Sequence, residues 1–177
     1  MILSDVDIIR EIEAENIIFE PPIEEEDISP SSVDVHLGSE IYIFKPIHKA
    51  IITIIDLSHP DIASSLSQLL DTVPIPDDGY KLDPGKFVLS HIREKITLRS
   101  KISARLEGRS TNARFGLTIH STAPTVHATY SGRLMLELCN LGNIPINLTA
   151  GLRIGQLIFE RLESLPMRSL VSDWQKQ

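Results

Sequence analysis

The chain of 177 residues contains one cysteine and one tryptophan, and aromatic residues make up only 5% of it. The single cysteine, Cys139, excludes an internal disulfide framework and any zinc site that needs several thiolates. Its position in a strand-like segment predicts a small buried apolar residue. No window is apolar over the length that a bilayer requires, and the first residues lack the basic start of a secretory signal. We therefore expect a cytoplasmic protein without a membrane partner.

Several motifs of nucleotide and metal chemistry are also missing. The sequence has no GxxxxGK[ST] and no GxGxxG, which argues against a P-loop motor and a dinucleotide oxidoreductase. Its six histidines show no HxxxH or HxE spacing and PCxxC is absent, so we predict no protein-bound metal and no zinc-type deaminase. The net charge of -7 provides no basic face for a nucleic acid.

The composition is that of a globular protein, with 42% hydrophobic and 23% charged residues. The length predicts a single domain over residues 1–177. Residues 165–177 are polar and have little apolar surface to bury, so we expect a tail that is mobile or crosses to a neighbouring subunit.

Short strand-like segments separated by turn residues indicate a mainly β fold. Ser4 caps a predicted helix that ends near Asn16, and a second short helix is predicted from Ser58 to Leu70. The acidic run 24–27 between prolines predicts a solvated loop. Strands are predicted at 31–38, 40–44, 51–55, 86–90, 101–106, 133–138 and 152–159. This spacing is typical of an antiparallel sandwich or barrel.

One segment concentrates basic and hydroxyl groups in this acidic chain. Residues 107–116 contain Arg109, Ser110, Thr111 and Arg114. Guanidinium groups bind phosphate oxygens in pairs, and hydroxyl and backbone donors complete such a site. We therefore predict a small polyphosphate ligand here. The alternative, that an arginine bridges strands or subunits, stays open for one of the two.

Glu137 interrupts an apolar strand. Strict alternation would place it on the same face as Met135 and Cys139, where a carboxylate is costly unless it is used or paired. A carboxylate in this position could take a proton from water and pass it on as a general acid/base. It could instead be an outward acid of an edge strand, or form a structural pair with Arg133 or Arg114.

Taken in order, these segments resemble the dCTP deaminase family, within the trimeric dUTPase superfamily. The resemblance runs through residues 1–8, 32–38, 55–58, 82–85, 108–117, 120–123, 136–137 and 151–157. It implies a distorted jelly-roll or barrel of the dUTPase-like type with a short N-terminal helix and one short internal helix. It also implies a homotrimer with three active sites at subunit interfaces, where the arginine segment can serve a neighbour's site.

The resemblance further implies roles for individual residues. In that family, the glutamate matching Glu137 transfers protons between the attacking water, the cytosine ring and the leaving ammonia, while the residues matching Ser110 and Arg114 orient the water and hold the glutamate. The base would be read near Ala123, the sugar would pack on Tyr130, and Mg²⁺ would arrive with the triphosphate. The implied nucleotide-binding residues are Arg109, Ser110, Thr111, Asn112, Ala113, Arg114, Ala123, Tyr130, Met135, Leu136 and Gln156.

The chain also departs from the family pattern. His127-Ala128-Thr129 stands where the family usually has Asp-Pro-Gly, and Thr125 stands where many bacterial members have arginine. The missing aspartate contacts the sugar 3'-hydroxyl and, in dUTPases, helps position the hydrolytic water. Its loss favours deamination of dCTP to dUTP over diphosphohydrolysis of dUTP. A dUTP diphosphohydrolase, a bifunctional deaminase and diphosphohydrolase, and a catalytically weakened, nucleotide-binding regulatory trimer remain alternatives, the last also because the C-terminal tail is short.

Overall fold

The computed structural model describes residues 1–46, 54–58 and 62–168, and these form a mainly β fold, as predicted. The α-helices are α1 (Asp5–Glu13), α2 (Ile62–Leu69) and α3 (Ser110–Ala113), and Glu25–Asp27 is a 3-10 helix. The strands are β1 (Ile17–Glu20), β2 (Ile28–Ser29), β3 (Ser32–Phe44), β4 (Leu70–Pro74), β5 (Tyr80–Leu82), β6 (Phe87–Ile92), β7 (Lys95–Leu98), β8 (Ile102–Gly108), β9 (Leu117–Thr118), β10 (Thr125–Val126), β11 (Ser131–Gly132), β12 (Met135–Asn140), β13 (Ile146–Leu148) and β14 (Arg153–Arg161). None of the described helices could cross a membrane.

The strands pair antiparallel in one large and two small sheets. The large sheet runs β10-β8-β14-β3-β6-β12-β9, and β2 and β4 also pair with β3. The small sheets are β1-β7-β11 and β13-β5. The predicted strands at 86–90, 101–106, 133–138 and 152–159 correspond to β6, β8, β12 and β14. Of the predicted strand at 51–55, residues 51–53 lie outside the described residues and the other two are not in a strand.

The central strand β3 joins the two halves of the large sheet. Its first part pairs with β14, and its second part pairs with β6 and β4. The register against β6 shifts between Leu37 and Ile41, which marks a β-bulge. The two strands predicted at 31–38 and 40–44 are therefore one bent strand, because the chain changes partners without a turn.

The first part of β3 is buried on both faces, not half-buried as its alternation predicted. Val33, Val35 and Leu37 are fully buried in the apolar core, while Asp34 and His36 point to the opposite face. That second face is also covered, since both polar side chains are buried. Alternation correctly predicted the faces but could not show what covers the polar one.

A buried ionic network covers His36. Its Nδ1 lies 2.7 Å from Glu94 Oε1, its Nε2 lies 3.5 Å from Asp27 Oδ1, and its backbone N–H donates to Glu94. Arg153 Nε donates to Asp27 Oδ1 at 2.8 Å, and the Arg93 guanidinium pairs with Glu94 at 2.9 Å. The prediction of a solvated loop over 24–27 is thus wrong for Asp27, which is 1% exposed. The Glu24 N–H donates locally to Asp27 Oδ2 at 3.2 Å, but the partners that bury the carboxylate, His36 and Arg153, reach it only in the folded chain.

The N-terminal helix α1 begins as predicted and ends three residues before Asn16. The Ser4 side chain accepts a hydrogen bond from the Asp7 N–H. At the C-terminal end, Asn16 N donates to Glu11 O at 2.8 Å and Glu15 N donates to Ile12 O at 3.0 Å. This is a Schellman motif, in which Glu15 occupies the left-handed position with a φ of 55°.

Candidate active site

The predicted phosphate-binding segment is a short helical turn at the end of β8. Arg109 is the N-cap residue of α3, and its carbonyl accepts from Ala113 N at 3.0 Å. Gly116, with a φ of 90°, then turns the chain into β9. Pairing of β8 with β14 therefore fixes where the arginine-rich turn starts.

Asp34 holds one of the two arginines. Arg109 Nη2 lies 3.1 Å from Asp34 Oδ2, and Asp34 is only 6% exposed. A buried carboxylate of this kind needs a cationic partner, so the pair fixes the guanidinium against β3. One alternative to a ligand-binding role is that an arginine bridges strands. For Arg109, this contact confirms it.

Two more predicted binding residues support the turn from β14. The Gln156 amide accepts from Ser32 Oγ at 3.0 Å and donates to Gly108 O at 3.4 Å. The Asn112 amide donates to the carbonyls of Arg153 and Ile154 at 3.1 and 3.3 Å. The Asn112 donors are thus used to anchor α3, which is a different use from the predicted ligand contact.

The remaining members of the segment are available for a ligand. Ser110, Thr111, Ala113 and Arg114 are exposed. Within the described ranges, the Ser110 hydroxyl and the Arg114 guanidinium form no hydrogen bond or ion pair with another side chain. An unpaired guanidinium beside exposed hydroxyls has the chemistry that binds phosphate oxygens.

Glu137 lies in an inner strand, not at an edge. Its strand β12 pairs with β6 along its length and with β9 near its end. The carboxylate accepts from Ser121 N at 2.8 Å, and the Glu137 N–H donates to Ile119 O at 2.9 Å. In the part of the chain that is described, neither Arg133 nor Arg114 pairs with it. The alternatives of an edge-strand acid and an arginine pair are therefore wrong for this chain on its own.

The face of Glu137 is partly open. Met135 is exposed, and Glu137 and Cys139 are half-buried, whereas Leu136 and Leu138 on the other face are buried in the core. The predicted alternation is confirmed, but the prediction that Cys139 is buried is wrong because it shares the open face.

The loop after β9 brings further groups next to Glu137. His120 Nε2 lies 3.8 Å from Glu107 Oε2, and His120 Nδ1 is buried without a hydrogen-bond partner among the described residues. Ala123 is exposed, and the next carbonyl, that of Pro124, accepts from Leu106 N. The loop is thus fastened to both β8 and β12, which places the predicted base-reading residue beside the strand of Glu137.

Tyr130 follows the turn formed by His127-Ala128-Thr129. Its hydroxyl donates to Arg133 O at 3.0 Å, its ring packs against the core, and burial raises its pKa to about 12. Thr129 has a φ of 71°, a conformation that favours glycine, and His127 is exposed. Since the hydroxyl is already bonded, any contact of Tyr130 with a sugar must use the ring.

The single chain groups the predicted residues into two clusters. One contains Arg109, Asn112 and Gln156 around α3, and the other contains Glu137 with the loop of His120 and Ser121. Glu107, next to Gly108 on β8, links them through its contact with His120. Ser110 and Arg114 do not bond to Glu137 within the described residues. Sequence reasoning missed Asp34 and Ser32 as supports, because their partners are far along the chain.

The described ranges contain no candidate metal site built from side chains alone. There, no group of three or more His, Cys, Asp and Glu side chains is placed to hold an ion.

Solved structures define the class of fold. The chain is similar to the 2'-deoxycytidine 5'-triphosphate deaminase from Agrobacterium tumefaciens, with a TM-score of 0.68 and 23% sequence identity over 89% of this chain and 47% of that one. Sequence comparison is more specific. The model of the dCTP deaminase-like family matches residues 2–162, and the chain belongs to that family.

Two relatives cover most of the chain. The protein named "dCTP deaminase, dUMP-forming" from Pseudarthrobacter chlorophenolicus is 41% identical over 165 residues, which are 93% of this chain and 82% of the relative. The dCTP deaminase of Haloarcula marismortui is 38% identical over 167 residues, with the same coverage of 93% and 82%. The resemblance inferred from the motifs is thereby confirmed.

Proposed function

We propose that this protein catalyses the hydrolytic deamination of dCTP to dUTP and ammonia. Water adds at C4 of the cytosine ring and gives a proton to the Glu137 carboxylate. Glu137 passes this proton to the ring nitrogen N3, then takes the second proton from the new C4 hydroxyl and gives it to the amino group. The C4–N bond breaks as ammonia leaves, and the C4 oxygen becomes the carbonyl of the uracil ring. No zinc ion takes part, because the carboxylate itself activates the water.

The observation that carries this proposal is the setting of the Glu137 carboxylate. One of its oxygens, Oε2, is held by the Ser121 N–H, while Oε1 has no hydrogen-bond partner among the described residues. A carboxylate fixed by one oxygen and open at the other suits proton exchange with a water molecule. Its strand face is partly open, which allows a ring to approach.

The arginine-rich turn supports a triphosphate substrate. Arg109 is pre-oriented by Asp34, and Arg114 and Ser110 are exposed at the same turn. In the proposed trimer, Ser110 and Arg114 orient the water and hold the glutamate of a neighbouring subunit, while the turn binds the phosphates. Magnesium would be held by phosphate oxygens and waters, where it neutralises charge on the triphosphate.

The identity of the product needs a separate argument, because the relative from Pseudarthrobacter is named dUMP-forming. This chain has His127 where the family's aspartate would help position a second hydrolytic water, and His127 is exposed in the turn before Tyr130. We therefore propose dUTP as the product. A bifunctional reaction that continues to dUMP is the second candidate, favoured by the name of that relative.

The first experiment is incubation of the purified protein with magnesium and either dCTP or dUTP, followed by chromatographic identification of the products. We expect dCTP to give dUTP, and dUTP to remain unchanged. Formation of dUMP would support the bifunctional reaction. Absence of turnover, with retained nucleotide binding, would contradict the enzyme and support a regulatory binding protein.

Replacement of Glu137 by glutamine tests the proton transfer. The amide oxygen can still accept from the Ser121 N–H, but it cannot take a proton from water. We expect turnover to fall by about 10³-fold or more while dCTP binding changes little, because general acid/base catalysis contributes about 10²–10⁴-fold. Single-turnover kinetics and calorimetric binding measure the two effects. Glu163→Gln is the matched control, since Glu163 is an exposed glutamate outside both clusters, and it should keep its turnover. Turnover retained in Glu137→Gln would exclude the proposed role.

A further inference from the structure

A polar pocket lies away from the α3 turn, at the bulge of β3. Its volume is about 190 Å³, and the lining residues that the proposal uses are Gly38, Glu40, Tyr42, His91, Arg93 and Arg133. Pockets for drug-sized ligands measure roughly 300–1,000 Å³, so this pocket suits a smaller molecule. None of the candidate active-site residues lines it.

The pocket depends on the bulge and on a glycine. The register between β3 and β6 shifts between Leu37 and Ile41, and the residues inside that shift form part of the pocket wall. A Cβ on Gly38 would lie 2.8 Å from His91 O, so a side chain there would displace the wall. Bulges recur at functional sites because they redirect side chains.

A chain of hydrogen bonds orients His91 in the pocket. The Tyr42 hydroxyl donates to Glu40 Oε2 at 3.1 Å, and its oxygen lies 3.1 Å from His91 Nδ1. Since the hydroxyl proton is used toward Glu40, we assign the imidazole proton to Nδ1. The rings of Tyr42 and His91 also meet edge to face at 5.3 Å. Nε2 of the neutral ring is therefore left as an acceptor.

The pocket offers an anion one arginine that is not already ion-paired within the described ranges. Its lining residues carry two positive side chains, Arg93 and Arg133, and one negative side chain, Glu40, in a chain whose net charge is -7. Arg133 has no ion pair among the described residues, whereas Arg93 binds Glu94 through Nε and Nη2. Glu40 is occupied by the Tyr42 hydroxyl. Arg133 is thus the cation left for a ligand.

We propose that this pocket binds a small oxyanion that carries an O–H group, namely a protonated phosphate. Arg133 donates to the phosphate oxygens, and His91 Nε2 accepts the O–H. The site is separate from the proposed triphosphate site, so it does not depend on the proposed deamination. The ligand is either the free ion or a small phosphate monoester bound as its monoanion, since both then carry charge and an O–H group.

Calorimetric titration of the purified full chain with inorganic phosphate tests the proposal. We expect binding by the wild type, and a Kd raised about 10-fold or more in Arg133→Gln, because a charge-assisted hydrogen bond is lost. Arg99→Gln is the matched control, since Arg99 is an exposed arginine outside the pocket. Absence of binding by the wild type, or equal Kd values in Arg133→Gln and the wild type, would overturn the proposal. So would dissociation of an oligomer in Arg133→Gln, which would show that the guanidinium pairs with another copy.

Titration with sulfate tests whether His91 accepts the O–H group of the ligand. At neutral pH sulfate has charge but no O–H, so we expect it to bind more weakly than phosphate in the wild type. The difference should shrink in Tyr42→Phe, which lacks the hydroxyl that fixes the imidazole. Equal affinity of the wild type for the two ions would contradict the O–H acceptor. Methyl phosphate as a third ligand identifies the source: equal or tighter binding than phosphate points to a phosphate ester, and weaker binding points to the free ion.

Discussion

At the scale of single residues, the surroundings of His91 change its pKa. Burial lowers its pKa below the ordinary value of 6.5, and Arg133 lowers it further, while Glu40 opposes both effects. Its other polar neighbour is the Tyr42 hydroxyl, and Met135 lies opposite it on β12. The folded protein therefore prefers the neutral imidazole.

This preference predicts how stability depends on pH. Between the folded pKa of His91 and 6.5, the unfolded chain binds more protons than the folded one, so the free energy of unfolding decreases as the pH falls through that window. Above 6.5 the effect is absent. We expect the wild type to lose stability relative to His91→Gln between pH 7 and 5, as measured by urea unfolding. His127→Gln, in an exposed loop, is the matched control, and parallel pH profiles of the wild type and His91→Gln would contradict the prediction.

At the scale of elements, the end of α1 contains a residue that is poorly suited to its conformation. Glu15 has a φ of 55° in the Schellman motif, where a Cβ costs roughly 1–2 kcal/mol. We expect Glu15→Gly to raise the free energy of unfolding by about 1 kcal/mol, measured by urea titration at constant protein concentration. Glu15→Ala keeps the Cβ and removes only the exposed contact with Arg99 at 3.6 Å, so its change should stay within about 0.5 kcal/mol. Equal effects of the two substitutions would exclude backbone strain.

A substitution of Gly116, in the turn after α3, should change the free energy of unfolding in the opposite direction. Gly116 has a φ of 90°, and a Cβ there would lie 2.4 Å from Gly142 N, which is backbone and cannot rotate away. We expect Gly116→Ala to lower the free energy of unfolding by about 3 kcal/mol, through strain and through displacement of the neighbouring loop. Gly85→Ala is the control, because Gly85 has a φ of 71° with no atom within 4 Å of the added Cβ, and it should cost only about 1 kcal/mol. Similar losses in both variants would show that the contact with Gly142 is unimportant.

The same elements show what sequence can and cannot predict. The start of α1 and strands such as β8 and β14 follow from short-range patterns of apolar residues and caps, and these were predicted. The burial of Asp27 and the support of Arg109 by Asp34 depend on partners that only the folded topology brings near. The fixing of Glu137 depends on a backbone N–H, which every residue except proline has, so no side-chain pattern could indicate Ser121.

For the whole molecule, the two clusters predict a site shared between subunits. Arg114 is unpaired in the described chain and does not bond to Glu137. If the chain forms the proposed trimer, we expect Glu137→Gln and Arg114→Ala to be inactive separately, and mixed trimers formed by refolding the two variants together to recover activity. If each site combines Glu137 of one subunit with Arg114 of the next, random mixing at equal amounts restores about one quarter of the sites. Turnover of dCTP by the mixture measures this, with light scattering to confirm the trimer.

Refolding each variant alone is the control for that experiment, since it corrects for losses of folded protein. Absence of recovery in correctly assembled mixed trimers would place both residues in the same subunit's site. Recovery near one quarter would also explain why Arg114 has no acidic partner among the described residues of a single chain.

The bent strand β3 has a consequence for how this architecture can be divided. One stretch of backbone completes the hydrogen bonding of both halves of the large sheet, through β14 on one side and β6 on the other. A fragment that keeps β3 retains only one set of partners, and a fragment without it exposes an unpaired edge. The two halves are therefore not separable modules, and recombination between related genes within this segment has to preserve both sets of neighbours at once.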